Sequence, residues 1–248
     1  TASGATASHP YASAGTYTVK LTVTDNRGGT DSVTKQVSVT APAAETIAQD
    51  LFDRTVTGGW GTATLGGPWT LQGGNAAFSV AGSAGQVSLK KGDTRTSRLQ
   101  SVSTTSAEIT AEMSADRTGA GFSWTLIGRQ VSTDLYSARL KFEANGVVRL
   151  YVLRGETALA NSFVLPGVVY APGDRLTIKL RVTGTSPTTV SAKAWRSGTT
   201  EPATWQVSGT DSTATLQQAG TIGLTQYLST ASTTDTAATR LLTYIVTR

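Results

Sequence analysis

The chain has 248 residues, of which 38% are hydrophobic and 15% charged, and it carries a net charge of +5. The absence of cysteine excludes disulfides, cysteine metal sites and cysteine nucleophiles. No apolar run approaches the ~18 residues of a membrane helix, and no Lys/Arg run reads as a nucleic-acid patch. An excess of Thr, whose branched Cβ favours strands, together with 26 Gly for turns predicts an all-β protein.

The first element is a hairpin. In residues 16–24, Tyr17, Val19, Leu21 and Val23 alternate with Thr18, Lys20, Thr22 and Thr24, the period of a strand with one buried face. Asp25-Asn26-Arg27-Gly28-Gly29 is turn chemistry, and residues 32–40 alternate again through Val37 and Val39. The stretch His9-Pro10-Tyr11-Ala12-Ser13-Ala14-Gly15-Thr16-Tyr17-Thr18-Val19, with Leu21-Thr22-Val23-Thr24-Asp25-Asn26 and Gly28-Gly29, resembles the second half of a PKD domain. That resemblance implies a partial immunoglobulin-like module acting as a spacer or adhesion unit, over residues 1–41. Because the family's first strands are missing, the chain reads as a piece of a longer protein. His9, the lone histidine, reads as a turn residue of this module. Residues 42–48, around Thr40-Ala41-Pro42-Ala43-Ala44-Glu45-Thr46, read as a Pro/Ala linker.

From residue 49 to 248 strands follow steadily. They are expected over 76–80, 84–90, 106–115, 120–129, 135–143, 147–154, 174–183, 188–196, 219–228 and 238–247, with Asn145-Gly146 as a hairpin turn. Phe122, Trp124 and Leu126 mark one core face, Ala138, Leu140 and Phe142 another, and Leu176, Ile178 and Leu180 a third. So many strands without a helix imply an antiparallel two-sheet sandwich, at this length a jelly roll.

Asp50-Leu51-Phe52-Asp53-Arg54, Gly58-Gly59-Trp60-Gly61, Gly66-Gly67-Pro68-Trp69-Thr70, Ala194-Trp195, Glu201-Pro202-Ala203-Thr204-Trp205 and Gly220-Thr221-Ile222-Gly223-Leu224 carry a second resemblance. They are similar to the concanavalin/laminin-G-like jelly rolls found in secreted actinobacterial proteins and phage tail proteins. The resemblance implies the fold over residues 49–248 and an extracellular or cell-surface setting. It leaves function open between a carbohydrate-binding or adhesion module, a phage host-attachment module, and an accessory domain or active site of a polysaccharide hydrolase or lyase. Related jelly rolls hold a structural calcium through an early acid. Asp50 and Asp53 are the candidate ligands here, against the alternative of ordinary turn aspartates; no other cofactor is expected.

The residues argue against catalysis. Glu108 and Glu112 are the nearest carboxylate pair, but four residues along one strand separate their backbones by about 13 Å. Glycosidase carboxylates stand about 5–9.5 Å apart. His9 lies outside the module, which leaves a serine nucleophile without a histidine base. Trp124 reads as core, Trp60 and Trp69 as packing at glycine turns, and Trp205 as packing a loop.

The polar face of the strands is the candidate binding surface. Opposite the core set lie Thr125, Ile127 and Arg129, then Arg139, Lys141, Arg149, Tyr151, Lys179, Arg181, Lys193 and Trp195. If these strands share a sheet, one face carries many cations and two aromatic rings. Rings stack on sugar CH faces, and Arg and Lys donate to hydroxyls or carboxylates. The expected partner is a polysaccharide or cell-surface glycan, including an anionic one; the alternative is a solvated sheet face covered by long side chains.

Overall fold

The computed structural model describes residues 6, 8–11, 13–40, 43–117 and 121–248. Ala12 of the first motif, Ala41 and Pro42 of the expected linker and Ala120 at the start of an expected strand lie outside the described residues. The chain divides into two compact units, Thr1–Ala44 and Glu45–Arg248.

The first unit is the expected hairpin, β1 (Gly15–Thr24) paired antiparallel with β2 (Thr30–Val39). Its turn is built by Asp25, whose Oδ1 accepts from the backbone N–H groups of Arg27 and Gly29. Gly28 takes a positive φ of 84° there, which a side chain would strain. His9 sits edge-on to Tyr11, which in turn packs against Tyr17. Leu21 and Val33 face each other across the ribbon and are both exposed, since two strands cannot enclose a core.

In the second unit the strands run β3 (Thr46–Asp50), β4 (Val56–Thr57), β5 (Thr70–Gln72), β6 (Phe78–Val80), β7 (Gly85–Lys90), β8 (Thr94–Thr104), β9 (Ala107–Ala115), β10 (Phe122–Val131), β11 (Asp134–Phe142), β12 (Val147–Arg154), β13 (Thr157–Ala158), β14 (Phe163–Val169), β15 (Arg175–Thr183), β16 (Thr188–Arg196), β17 (Val207–Asp211), β18 (Gly220–Leu228) and β19 (Thr236–Thr247). Thr46–Ala48, expected to end the linker, thus open β3, which pairs with the last strand. Helical structure among the described residues is two short 3-10 turns, Asn75–Ala77 and Ala214–Leu216.

Among the described residues these strands form two antiparallel sheets. One has eight strands in the order β13-β12-β11-β10-β18-β8-β5, with β14 beside β12. The other has nine, β17-β16-β15-β9-β19-β7-β6-β4, with β3 beside β19. Their apolar faces pack on one another as a sandwich. Trp124, Leu140 and Leu224 from the first sheet and Ile109, Ile178 and Ala192 from the second are all at most 1% exposed. Each such Leu or Ile contributes about 1.5–3 kcal/mol relative to exposure. Phe122, Trp124, Phe142 and Tyr170 form one aromatic cluster, with ring centroids 4.8–6.0 Å apart. Phe52, Trp60, Trp69, Phe78 and Tyr244 form a second.

The alternation of β10 breaks at its end. A bulge between Ile127 and Arg129 turns Arg129 inward, opposite Tyr136, rather than onto the polar face where the sequence pattern puts it. Gly128 faces the other sheet so closely that a Cβ would stand 2.5 Å from Val182 Cγ2. Arg129 is fully buried, and its Nη groups donate to Thr188 Oγ1 and to the carbonyls of Leu216, Gly184 and Thr105. It ties the loop ends of both sheets together.

Candidate functional site

The eight expected binding residues do not share a face. Arg139 and Lys141 lie on β11 and Arg149 and Tyr151 on β12, both in the eight-stranded sheet. Lys179 and Arg181 lie on β15 and Lys193 and Trp195 on β16, both in the nine-stranded sheet. The two sets point away from each other on opposite outer surfaces of the sandwich.

On the eight-stranded sheet the register builds three rows on the side away from the sandwich core, the third of them buried from Leu153 to Gly223. The first runs Arg149, Lys141, Ser123, Tyr227, Thr94. The second runs Tyr151, Arg139, Thr125, Thr225, Thr96, and the third Leu153, Ser137, Ile127, Gly223, Arg98. Ser123 and Thr125 on β10, with Arg139 and Lys141 on β11, lie between Tyr151 on β12 and Tyr227 on β18. Thr96 and Thr225 share a hydroxyl hydrogen bond of 3.1 Å, and Arg139 Nε donates to Thr125 Oγ1. Arg139 also grips Glu156 through both Nη groups, at 2.7 and 2.6 Å. These bonds hold the Glu156 carboxyl below its usual range. Arg149 pairs with Glu143. Lys141 is exposed and has no ion pair among the described residues. Beside the third row a hollow of about 340 Å³ is lined by Arg98, Gln100, Gln130, Ser132 and Thr221.

Tyr227 and Arg98 escaped the sequence reading. Tyr227 sits on an expected strand, where alternation with Leu224 and Leu228 could have exposed it. Arg98 sits on β8, which was not expected at all.

The opposite face is closed on itself. Lys179 and Lys193 are cross-strand partners, an unfavourable juxtaposition. Glu201 offsets it by bonding both ammonium groups, at 2.7 and 2.8 Å. The side-chain hydrogen bonds from Lys179 and Lys193 hold the Glu201 carboxyl below its ordinary value. Glu108 takes Arg181 at 2.6 Å and Lys179 at 3.6 Å, and Glu112 takes Arg175 at 3.4 Å. Arg181 and Lys193 both cover the Trp205 ring, at 4.6 and 5.0 Å from its centroid. Lys193 Nζ also donates to Pro202 O. The cations here pin the loop carrying Glu201, Pro202 and Trp205 to the sheet, and their charge is spent on the protein's own acids. Trp195 stands apart, half-buried, in a cleft of about 400 Å³ with Leu165, Pro166, Thr199, Pro202 and Gln206.

The Asp50 donor set does not fit a calcium ion. Asp50 is fully buried; its Oδ1 accepts from Phe52 N and Arg54 Nη1, and its Oδ2 from Arg54 Nη2 and Trp69 Nε1. A guanidinium occupies the place of a cation, while calcium requires six to eight oxygens. Asp53 is exposed, and among the described residues no group of three His, Cys, Asp or Glu is placed to hold a metal.

A family model described as PKD domain matches residues 1–41. No curated protein matches the sequence. Among solved structures the chain is similar to a Bacillus licheniformis β-glucanase, at TM-score 0.53 and 8% identity over 84% of this chain and 100% of that one. It is similar to the CBM2 module of an evolved Dit from Lactobacillus casei BL23 phage J-1, at TM-score 0.50 and 12% identity over 82% and 95%. A xylan β-1,4-xylosidase from Bacillus halodurans C-125 matches at TM-score 0.51 and 11% identity over 92% of this chain, which spans 46% of the xylosidase. At these identities the likeness is one of fold, an antiparallel jelly-roll sandwich.

Proposed function

We propose that the second unit is a non-catalytic carbohydrate-binding module of a larger secreted protein, and that it lays a glycan across the outer face of its eight-stranded sheet. The shared fold includes a carbohydrate-binding module and two glycosidases, so the reading has to come from the face itself. The observation that carries it is the pair of outward rings, Tyr151 and Tyr227, separated by Arg139 and Lys141 on β11 and by the short Ser123 and Thr125 on β10. The two tyrosines are three strands apart, about 14 Å at the usual strand spacing. Two rings at that separation offer stacking platforms for separate sugars of one chain. Lys141 adds an unspent cationic donor in the same row as Tyr227.

The central strands argue for binding without cleavage. Ser123, Thr125 and Ile127 on β10, Thr221, Gly223, Thr225 and Tyr227 on β18, and Thr94, Thr96 and Arg98 on β8 include no carboxylate. Most glycoside hydrolases flank the scissile bond with two carboxyl groups. The acids at the margin, Glu143 and Glu156, are each held by an arginine. A glycan array probed with the intact chain tests the proposal. Reproducible binding to a defined set of glycans, with the glycan recovered uncleaved, is expected. Binding to none of a broad set of neutral and acidic glycans would overturn it.

A further inference from the structure

The arginines of this chain are mostly spent on its own acids, and Arg98 is the informative exception. Among the described residues, those without a carboxylate partner are Arg27, Arg98, Arg129 and Arg240. Arg27 and Arg240 are exposed on the surface, and Arg240 also donates to Gly82 O. Arg129 is fully buried, with four protein oxygens on its Nη groups. Arg98 is half-buried, and burial lowers its pKa. Its Nε donates to Gln130 Oε1 at 2.6 Å and its Nη1 reaches Gln72 Oε1 at 3.3 Å. Both partners are neutral amides. Of the five N–H donors of a guanidinium, the two on Nη2 have no partner among the described residues.

The surroundings hold this group in place and leave it open. Gln130 is itself fixed by a 2.9 Å bond from its Nε2 to Ser132 O, which turns its carbonyl oxygen toward Arg98. Gly223, the cross-strand partner of Arg98, clears the floor beneath it: a Cβ there would stand 2.2 Å from Ser97 O and 3.1 Å from Arg98 Cγ. The hollow over this corner is lined by Gln100, Gln130, Ser132 and Thr221 besides Arg98, all donors or acceptors. It adjoins the second row of the glycan face, since Arg98 is two residues from Thr96 on β8, about 7 Å.

We propose that this hollow receives the carboxylate of an acidic sugar, with Arg98 as its charged donor and the neighbouring amides and hydroxyls bonding the ring's hydroxyls. The proposal rests on the reading of this face as a glycan site and names the class of glycan it selects. A planar carboxylate matches the fork that a guanidinium presents. It would also supply the counter-charge that the protein provides for every other half-buried arginine among the described residues.

The test compares uronate polymers (polygalacturonate, alginate and hyaluronan) with their methyl esters, which keep the backbone and remove the charge. Dextran sulfate serves as a purely electrostatic control. The intact chain should bind at least one uronate about tenfold more tightly than its ester. Arg98→Gln should abolish that preference and leave the affinity for the ester unchanged. Arg98→Lys, which keeps the charge and loses the fork, should fall between the two, and it serves if Arg98→Gln fails to fold. Equal affinity for uronate and ester would overturn the acidic-sugar inference alone, as would a preference that survives in Arg98→Gln and extends to dextran sulfate. Absence of binding to any uronate, ester or neutral glycan would overturn the glycan reading beneath it.

Discussion

Arg54 lays its guanidinium across both carboxylate oxygens of Asp50, at 2.7 Å to each, one helical-length step away in sequence but around a tight turn of the chain. Phe52 sits at the apex with a positive φ of 56°, and its ring packs on Trp60 and lies parallel to Trp69. Arg54 also donates to Trp60 O, while Trp69 donates to Asp50. The Asp50-Leu51-Phe52-Asp53-Arg54 motif is therefore a structural knot that joins β3 to two glycine turns.

Breaking one partner of such a buried pair costs about 3–5 kcal/mol. In a domain of this size that is a fall in Tm of about 6–20 °C. Asp50→Ala and Arg54→Met should each show it in a thermal melt, and Asp50→Leu combined with Arg54→Met should lose less than the sum. Because Arg54 fills the cation's place, addition of a calcium chelator should leave the wild-type Tm unchanged. A fall on chelation that calcium restores would show that the turn binds metal after all.

Three buried tyrosines set the alkaline limit. Burial, aided by the bond to Asp211, pushes Tyr136 up to about 12. Burial also pushes Tyr170 to about 12, and Tyr244 higher still. Tyrosine in the unfolded chain titrates near 10. The folded state holds these protons more tightly, so their contribution is complete below about pH 10 and is lost as pH rises from there toward 12. Urea midpoints measured from pH 8 upward should drop steeply above pH 10.

Tyr244 separates two effects in that series. Its hydroxyl is fully buried and has no hydrogen-bond partner among the described residues. Tyr244→Phe should therefore raise stability at pH 7 by about 1 kcal/mol and blunt the alkaline loss. Destabilisation at pH 7 would mean that the hydroxyl is satisfied in solution.

Glu201 governs the acid side of the opposite face. Its carboxyl is depressed by Lys179 and Lys193, so its stabilising contribution is present above about pH 4.3 and is lost as pH falls through the lowered value. The side chain is 40% exposed, which screens the interaction to about 1 kcal/mol or less. Glu201→Gln should be less stable than wild type by that amount at pH 7, and the gap should close as the pH falls toward 3. Its glycan affinity should match the wild type.

The inward and outward parity of most strands is written in the local pattern. Leu176, Ile178 and Leu180 against Lys179 and Arg181, or Leu140 and Phe142 against Arg139 and Lys141, read correctly because each strand has one apolar face. Sheet membership is not local. β12 pairs with β11, β11 with β10 and β10 with β18, while β16 pairs with β15, β15 with β9 and β9 with β19, and nothing in any single strand specifies that. One assumed binding surface is therefore two. β8 was illegible for another reason. Its inward positions Arg95 and Ser97 are polar, and only Leu99 and Val102 mark a core face, so the strand that carries Arg98 looks like a loop. Thr46–Asp50 hid similarly, since its buried positions are the small Ala48 and the ion-paired Asp50. Arg129 was misplaced by the bulge at Ile127, which reverses the parity of the residues beyond it.

The most direct test of the account is to compare the two faces with one glycan. With a ligand from the array in hand, its affinity should be measured calorimetrically for wild type, Tyr151→Ala, Tyr227→Ala and Trp195→Ala, with melts to confirm folding. Each tyrosine variant should lose about tenfold or more in affinity, while Trp195→Ala should bind like wild type. Loss of binding in Trp195→Ala, with both tyrosine variants unaffected, would contradict the proposed glycan face and move the site to the cleft on the other side of the sandwich.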